Sequence, residues 1–239
     1  MKKKSNLLSI LVTCSAMVST AANAFNVDKM IIVADQKGNG VVTLINDEST
    51  PIFVNGQIQE IQVLNGDKVV RNSYTRNNLN DWKISLTHPS LVLRPGEEKD
   101  VGIRSLCHNT SCDNSKDLMF MLPFSPSRYK EGGDKNKGVE INYGFSPVYI
   151  LPTTKPIFDY YIYNNGESLR IDNNSNTLID VYVNSCTTDN DTQCKQKFTV
   201  VSGRDKTFSL KKNTQSEKLN VTVTSYDKKY SKEMKVDIK

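Results

Sequence analysis

The sequence predicts an all-β protein with two β-sandwich domains. Apolar residues recur at alternate positions or in short runs, and little of the chain has a helical spacing. Asn, Asp, Gly, Ser and Pro interrupt these runs at close intervals, which is typical of immunoglobulin-like sandwiches. Pro152 to Pro156 is the best candidate boundary, because proline suits a short, stiff connector and the composition changes after it. We therefore expect Ig-like domains at residues 25–152 and 153–239.

Residues 1–24 have the pattern of a secretory signal peptide. Lys2 to Lys4 precede an apolar run from Leu7 to Val18, and Ala22-Asn23-Ala24 forms an A-x-A cleavage site. The apolar run is too short to cross a bilayer. We expect cleavage after Ala24 and an exported, soluble mature chain. A lipoprotein anchor at Cys14 is the weaker alternative, since the A-x-A site lies further on.

The charge of the chain gives little support to a nucleic-acid partner. The net charge of +5 falls to +2 once the three signal-peptide lysines are removed. The remaining basic residues are scattered, without the interleaved aromatic residues of a surface that binds single strands.

In the first domain, the pattern predicts strands at 29–34, 40–46, 51–64, 82–86, 100–106, 118–124 and 138–152. The alternation of apolar residues along 51–64 is interrupted between Ile58 and Ile61, which predicts a β-bulge. Residues 65–81 are expected to form a loop with a short hairpin, and LRPGEE at 93–98 a tight turn. Residues 125–137 contain Gly132-Gly133 and several cations, which indicates a solvated loop.

In the second domain, seven short strands are predicted, enough for a small sandwich. They are expected at 158–163, 168–172, 177–183, 197–202, 207–210, 219–225 and 234–238.

The two halves of the stretch Gly138 to Pro152 have different patterns. Four large apolar side chains share one face of a strand, because side chains alternate with period two: Val139, Ile141, Tyr143 and Phe145. Val148 to Leu151 is a continuous apolar run that suits burial on both faces. The first half is therefore either ordinary sandwich core or a row of side chains that pairs with the sheet of another protein.

The four cysteines of the mature chain form two close pairs. One pair is Cys107 and Cys112, and the other is Cys186 and Cys194. In an oxidising compartment each pair predicts a local disulfide that fixes the shape of a loop. A metal site with His88 and His108 is the alternative, but CHNTSC lacks C-x-x-C spacing and the second pair has no histidine nearby. We expect no bound metal.

The sequence has no evident set of catalytic residues. It contains two histidines and lacks the G-x-S-x-G, H-E-x-x-H and P-loop motifs. An enzyme would need a nucleophile, a base and a charge-stabilising group in one place. We therefore expect a protein with no catalytic activity and no cofactor.

Four segments, in this order, resemble the periplasmic pilus chaperones of chaperone–usher systems. They are TLINDESTPIFVNGQIQE (43–60), LVLRPGEEKDVGIRS (91–105), LMFMLPFSP (118–126) and GFSPVYILP (144–152). LRIDNNSNTLIDVYV (169–183) is similar to the opening of the family's second domain. The Cys186 and Cys194 pair resembles that of the alternate, colonisation-factor-type branch. The likeness covers nearly the whole mature chain.

The resemblance implies an L-shaped pair of Ig-like domains located in the periplasm. Such chaperones bind pilin subunits that lack a strand, lend them one of their own, and deliver them to an outer-membrane usher without ATP or a metal. The residues that match the donor positions are Val139, Ile141, Tyr143 and Phe145. An exposed apolar row of this kind would also favour self-association of the free chain.

The family anchors the C-terminal carboxylate of the subunit with two basic residues, one on the first strand and one in the donor strand. Here the donor-strand position falls near Phe145 and Ser146, and neither is basic. Lys29 and Arg104 are the candidate anchors that the sequence offers, since a cation binds a carboxylate through a charge-assisted pair. Each can equally be an ordinary surface charge.

Two other classes of protein stay open. A fimbrial subunit or adhesin would carry an N-terminal extension with alternating apolar residues, of which Phe25, Val27 and Ile31 to Val33 give a poor version. Such a subunit would usually form a single sandwich. A secreted carbohydrate-binding module is the other alternative, and the small number of exposed aromatic residues disfavours it.

Overall fold

The computed structural model of the chain describes residues 24–107, 112–129, 142–186 and 193–238. These residues form nineteen strands and two short 3-10 helices, so the all-β prediction is confirmed. The first strands are β1 (Phe25–Val27), β2 (Ile31–Val33), β3 (Gly40–Asn46), β4 (Ile52–Gly56), β5 (Gln59–Leu64), β6 (Lys68–Ser73), β7 (Ile84–Leu86), β8 (Ser90–Leu93), β9 (Glu98–Ser105), β10 (Leu118–Met121), β11 (Phe124–Arg128) and β12 (Val148–Leu151). The later strands are β13 (Tyr160–Asn164), β14 (Ser168–Asn173), β15 (Ile179–Asn184), β16 (Lys195–Val200), β17 (Asp205–Ser209), β18 (Lys218–Thr224) and β19 (Ser231–Asp237). The 3-10 helices are Arg76–Asp81 and Lys212–Thr214.

The first twelve strands form three sheets, in the orders β1-β3-β9-β7, β2-β12-β10-β5-β6 and β11-β4-β8. The last seven strands form two sheets, in the orders β13-β14-β17 and β16-β15-β18-β19. The pairing of β2 with β12 is parallel, and the other pairings of these strands are antiparallel. Each group of sheets encloses an apolar core of its own, with Phe120 and Tyr149 in the first and Leu169 and Val221 in the second.

The predicted strand 51–64 is two strands in different sheets. β4 pairs with β8 and β11, whereas β5 pairs with β6 and β10. The alternation of apolar residues is interrupted because the chain changes sheet at this point. The predicted bulge is therefore wrong. Ile58 is buried at the crossing, where its carbonyl accepts a hydrogen bond from the Tyr74 N–H at 2.9 Å.

The predicted strand 118–124 divides in the same way. β10 lies between β12 and β5, whereas β11 pairs with β4. Pro123 lies at the division and has no N–H to continue a ladder. Its carbonyl accepts a hydrogen bond from the Gln57 N–H at 2.9 Å. Because β11 runs to Arg128, the first residues of the predicted loop 125–137 are strand, and residues 130–137 lie outside the described part of the chain.

The structure adds β1 and β8, two strands that the sequence did not predict. β1 pairs with β3 in one sheet, and β2 pairs with β12 in another. The predicted strand 29–34 is therefore only the second half of an edge that changes sheet. The hairpin predicted within 65–81 is β6 beside β5, followed by the first 3-10 helix. The seven strands predicted after residue 153 are all present, with ends that shift by up to three residues.

Three buried asparagines join neighbouring strand ends through side-chain hydrogen bonds. Each side-chain NH2 group donates to three backbone carbonyls, and each side-chain oxygen accepts from the N–H two residues further along. The carbonyl partners are Thr50, Leu93 and Arg94 for Asn46, Ser216, Glu217 and Val236 for Asn164, and Thr177, Val200 and Val201 for Asn173. All three asparagines have no exposed surface, so these bonds satisfy groups that water cannot reach.

A buried carboxylate, Asp117, joins the two domains. It lies immediately before β10, and its Oδ1 accepts a hydrogen bond from the Thr153 N–H at 2.9 Å. Its Oδ2 accepts from the Leu178 N–H at 2.8 Å and from the Thr177 hydroxyl at 3.1 Å. Burial raises the pKa of Asp117 above its ordinary value of 3.8, and the three hydrogen bonds lower it in part.

A second contact between the domains lies at the turn between β5 and β6. The Asp205 N–H donates to the Gly66 carbonyl at 2.8 Å, and Arg204 donates to the Asp67 carbonyl at 2.6 Å. Between the two contacts, Ile61, Met119, Ile150 and Leu178 form a small buried apolar cluster. The orientation of the two domains is therefore fixed at two separated points.

We predict that Asp117 makes stability depend on pH in an unusual direction. Because its folded-state pKa lies above the ordinary value, the folded chain holds the proton more tightly than the unfolded chain between those two values. The contribution of Asp117 to the free energy of unfolding therefore rises as the pH falls through that window. Asp117→Asn should destabilise the chain by about 1–3 kcal/mol, because its NH2 group must replace one of two oxygens that each accept from a backbone N–H.

Thermal unfolding at a series of pH values measures this effect. The gap in melting temperature between the native chain and Asp117→Asn should widen, in favour of the native chain, as the pH falls from about 7 to about 4. A gap that narrows on acidification would mean that the hydrogen bonds outweigh burial.

Candidate functional site

The structure describes two of the four predicted donor residues. Val139 and Ile141 lie outside the described residues, whereas Tyr143 and Phe145 lie within them. Residues 142–147 precede β12 and form no strand with it, so the prediction of one long strand over 138–152 is wrong for this part. Pro147 explains the break, because it has no N–H and its carbonyl accepts from the Leu122 N–H at 2.8 Å.

Phe145 pairs instead with the first residue of β11. The Phe124 N–H donates to the Phe145 carbonyl at 2.8 Å, and the Phe145 N–H donates to the Phe124 carbonyl at 3.1 Å. β11 is the edge strand of the β11-β4-β8 sheet, so this pair lies on its open side. The chain therefore crosses from the β11 edge into β12 within three residues.

Pro126 limits how far this pairing extends. In an antiparallel strand the backbone groups of alternate residues point to the same edge, so Pro126 faces the open side together with Phe124. Ser125 and Ser127 face β4. Since proline has no N–H, β11 offers an incomplete edge beyond Phe124.

Gly144 allows the close approach of the two backbones. A Cβ at this position would lie 2.5 Å from the Phe124 carbonyl oxygen. Real side chains do not come so close to a backbone oxygen, so any larger residue would displace the chain. The glycine therefore supports the pairing of Phe124 with Phe145.

The two described donor residues have different environments. The Tyr143 side chain is 79% exposed. Phe145 is half-buried against the first-domain core, and its ring centroid lies 6.0 Å from that of Phe25. Of the two, only Tyr143 presents its side chain to solvent.

An apolar groove of about 210 Å³ lies between the two domains. Its lining includes Ile61, Val63, Met121 and Val148 from the first domain and Val201, Phe208, Arg204 and Lys206 from the second. Arg204 donates a hydrogen bond to the Asp67 carbonyl. Lys206 is exposed, and its Nζ lies 5.1 Å from the centre of the Phe208 ring. No carboxylate is among the described residues that line the groove. No sequence pattern indicated these two cations, because they face the groove only through the contact between the domains.

The two predicted anchor residues lie elsewhere. Lys29 falls between β1 and β2 and forms an ion pair with Asp28, with 3.0 Å between Nζ and Oδ2. Its neighbour Met30 accepts a hydrogen bond from the Val148 N–H at 2.8 Å, so Lys29 is close to the start of β12. Arg104 is exposed on β9, beside buried Ile103, and points away from the core on the opposite sheet of the sandwich. Neither residue lines the groove.

Both predicted disulfides are present. The S–S distances are 2.01 Å for Cys107–Cys112 and 1.98 Å for Cys186–Cys194. His88 is exposed and its Nδ1 lies 3.1 Å from the Thr87 hydroxyl, while His108 lies outside the described residues. In the described ranges, no cluster of three or more His, Cys, Asp or Glu side chains could hold a metal ion.

The predicted signal peptide, residues 1–23 of which lie outside the described part, is not tested by the structure. Ala24 is described, and its carbonyl accepts a hydrogen bond from the Asp47 N–H at 3.3 Å. A search of the described residues for helices long and apolar enough to span a membrane found none.

Comparison with known proteins defines the class of this fold. A class 5 fimbriae chaperone, CfaA, is 12% identical in sequence and superimposes with a TM-score of 0.51, over 89% of this chain and 98% of CfaA. A structure of Salmonella enterica SafA pilin in complex with the SafB chaperone matches with 10% identity and a TM-score of 0.51, over 92% of this chain and 99% of the matched chain. No curated protein sequence matches the chain. The fold is thus the two-domain Ig-like fold of pilus chaperones.

The family model described as the CS5 fimbrial protein N-terminal domain matches residues 27–152, more than half of the sequence. The chain belongs to this family. The resemblance to fimbrial chaperones that the sequence predicted is therefore confirmed at the level of family and fold.

We predict that Gly144→Ala destabilises the first domain. The added methyl group cannot occupy a position 2.5 Å from the Phe124 oxygen, so the Phe124–Phe145 pair must separate or the backbone must shift. We expect a loss of about 1–3 kcal/mol in the free energy of unfolding, measured by urea denaturation. Asn142→Ala, two residues away and exposed, is the control and should change stability by less than about 0.5 kcal/mol. Equal effects of the two substitutions would show that Gly144 has no special role.

Proposed function

We propose that this protein is a periplasmic chaperone that binds, folds and caps fimbrial subunits by donor-strand complementation and delivers them to an outer-membrane usher. The observation that carries this proposal is the segment before β12. It pairs through Phe145 with Phe124 at the open edge of β11 and presents Tyr143 to solvent. An apolar side chain beside an incomplete sheet edge is a starting point for pairing with another chain.

The physical basis is the instability of a sandwich that lacks a strand. Such a subunit exposes an apolar groove and two unpaired strand edges, which favour aggregation. A lent strand supplies the missing backbone hydrogen bonds, and its alternate side chains fill the groove. In the sequence, Val139, Ile141 and Tyr143 have the required spacing of two residues. Folding of the subunit provides the free energy, so neither a cofactor nor catalysis is required.

The two relatives with this fold support the same role. CfaA is described as a class 5 fimbriae chaperone, and a solved structure contains the pilin SafA in complex with the SafB chaperone. A fimbrial subunit remains the second candidate, because the matched family is described as a fimbrial protein domain. The two-domain fold favours the chaperone, since the superpositions cover 98–99% of the matched chains.

We also propose that the C-terminal carboxylate of the subunit binds in the groove between the domains. Lys206 is the best-placed cation, because it lines an apolar groove without an acidic neighbour in its lining. Lys29 and Arg104 remain candidates. Lys29 is near the start of β12, whereas Arg104 lies on the opposite sheet.

We predict that Ile141→Asp combined with Tyr143→Asp leaves the chain folded but abolishes capture of subunits. A carboxylate cannot enter an apolar groove without a large desolvation cost, so we expect capture to fall by about a hundredfold or more. Co-purification with a fimbrial subunit from periplasmic extract measures capture. Asn142→Asp adds a charge on the alternate face and should retain capture.

Two results would reject the donor strand. A folded double variant that still captures the subunit would show that these side chains are not lent. Unfolding of the double variant would show that they belong to the core of their own domain.

We predict that Lys206→Gln lowers capture by about tenfold without lowering the melting temperature, because one hydrogen bond to a charged carboxylate is lost. Lys29→Gln and Arg104→Gln, measured in parallel, determine which cation is the anchor. Lys235→Gln on β19, in the other sheet of the second domain, is the control. Unchanged capture in all the variants would exclude an anchor at these positions.

A further inference from the structure

The environment of Phe145 differs from that of a side chain available to a partner. Its ring packs against the first-domain core and lies 6.0 Å from the ring of Phe25. Phe25 is only 2% exposed, so withdrawal of Phe145 would uncover core surface. Its backbone makes both hydrogen bonds of a pair with Phe124.

The partner of Phe145 is itself rigidly held. Phe124 is 1% exposed. A Cβ at Gly56 would lie 2.8 Å from the Phe124 ring, which shows how closely that ring packs on the β4 backbone. Phe124 is also paired with Gly56 in the β11–β4 register. Phe145 is therefore attached to a fixed point of the sheet.

The chain loses these contacts on the N-terminal side of Phe145. Asn142, Tyr143 and Gly144 are exposed and lie outside any strand. Pro126, which would face Tyr143 if the ladder continued, has no N–H to offer. On the C-terminal side, Pro147 is buried and β12 begins at Val148. Phe145 is thus the last fixed residue before the exposed segment.

We propose that the Phe145 side chain does not insert into the subunit. Instead, Phe145 is a positioning residue that sets the register of the exposed segment before it, residues 142–144. This inference rests on the proposed chaperone function. In a strand, a shift of one residue moves every side chain to the other face, so one fixed residue determines which neighbours face a partner. With Phe145 held by Phe25 and Phe124, Tyr143 is the first side chain offered to the subunit.

Substitutions at Phe25 and Phe145 test the proposal. Phe25 is buried and contacts Phe145, so a substitution at Phe25 tests this contact without changing a side chain exposed to the subunit. Phe145→Leu and Phe25→Leu should each lower capture of the co-expressed subunit by about threefold to tenfold, the range expected for loss of an aromatic contact. The double variant should be no worse than the more severe single variant, because both substitutions remove the same contact.

Two controls separate register from stability. Ile84→Val shortens a buried side chain on β7 and should lower the melting temperature without changing capture by the folded chain. Mass spectrometry of each mature chain shows whether export processing is unchanged, since Phe25 follows the predicted cleavage site. Amide exchange gives a direct readout, because the Phe145 N–H should exchange equally slowly in the free chain and in the complex.

The outcomes separate this inference from the proposed function. If Phe145→Leu lowers capture but Phe25→Leu does not, or if their effects multiply, Phe145 is itself lent and the inference is wrong. If neither substitution changes capture while Tyr143→Asp abolishes it, Phe145 does not set the register and the inference is wrong. If Tyr143→Asp also leaves capture intact, the donor function itself has failed.

Discussion

Two neighbouring segments of the first domain cross from one sheet to another side by side. The arrangement of the domain depends on this crossing. β10 gives way to β11 at Pro123, and the segment 142–147 enters β12 at Pro147. The Leu122 N–H donates to Pro147, and the Phe124 N–H donates to Phe145, so hydrogen bonds hold the two segments together through the change. Because both prolines lack an N–H, neither regular ladder can extend across the crossing. The exposed edge of β11 and the position of Tyr143 both follow from it.

The relation between the domains has a different physical basis. A carboxylate without a cation among its hydrogen-bond partners is buried at one end of the contact. At the other end, the Asp205 N–H and the Arg204 side chain donate to backbone carbonyls of the turn between β5 and β6. Apolar side chains lie between them. These contacts hold Lys206 and Phe208 of the second domain opposite Val63 and Met121 of the first. The groove exists only because the domains keep this orientation. Neither domain alone supplies its full lining.

The sequence allowed the fold class, both disulfides and the seven later strands to be predicted, because these depend on local patterns. It did not allow the changes of sheet at Ile58, Pro123 and Pro147, since alternation of side chains does not show which sheet a strand joins. The same limit affects the candidate site. Phe145 has the correct spacing for a donor residue, yet its contact with Phe25 joins residues that are 120 positions apart in the sequence. Lys206 faces the first domain only through tertiary contacts.

The three buried asparagines have a consequence for the chemical ageing of the protein. Hydrolysis of a side-chain amide replaces a group that donates with a carboxylate oxygen that only accepts. At Asn46, Asn164 or Asn173, this single-atom change would remove the side-chain hydrogen bonds to three carbonyls and place a negative charge against their dipoles. Bonds that hold three strand ends would become sources of repulsion. The stability of the folded chain is therefore sensitive to hydrolysis of any of these three side-chain amides.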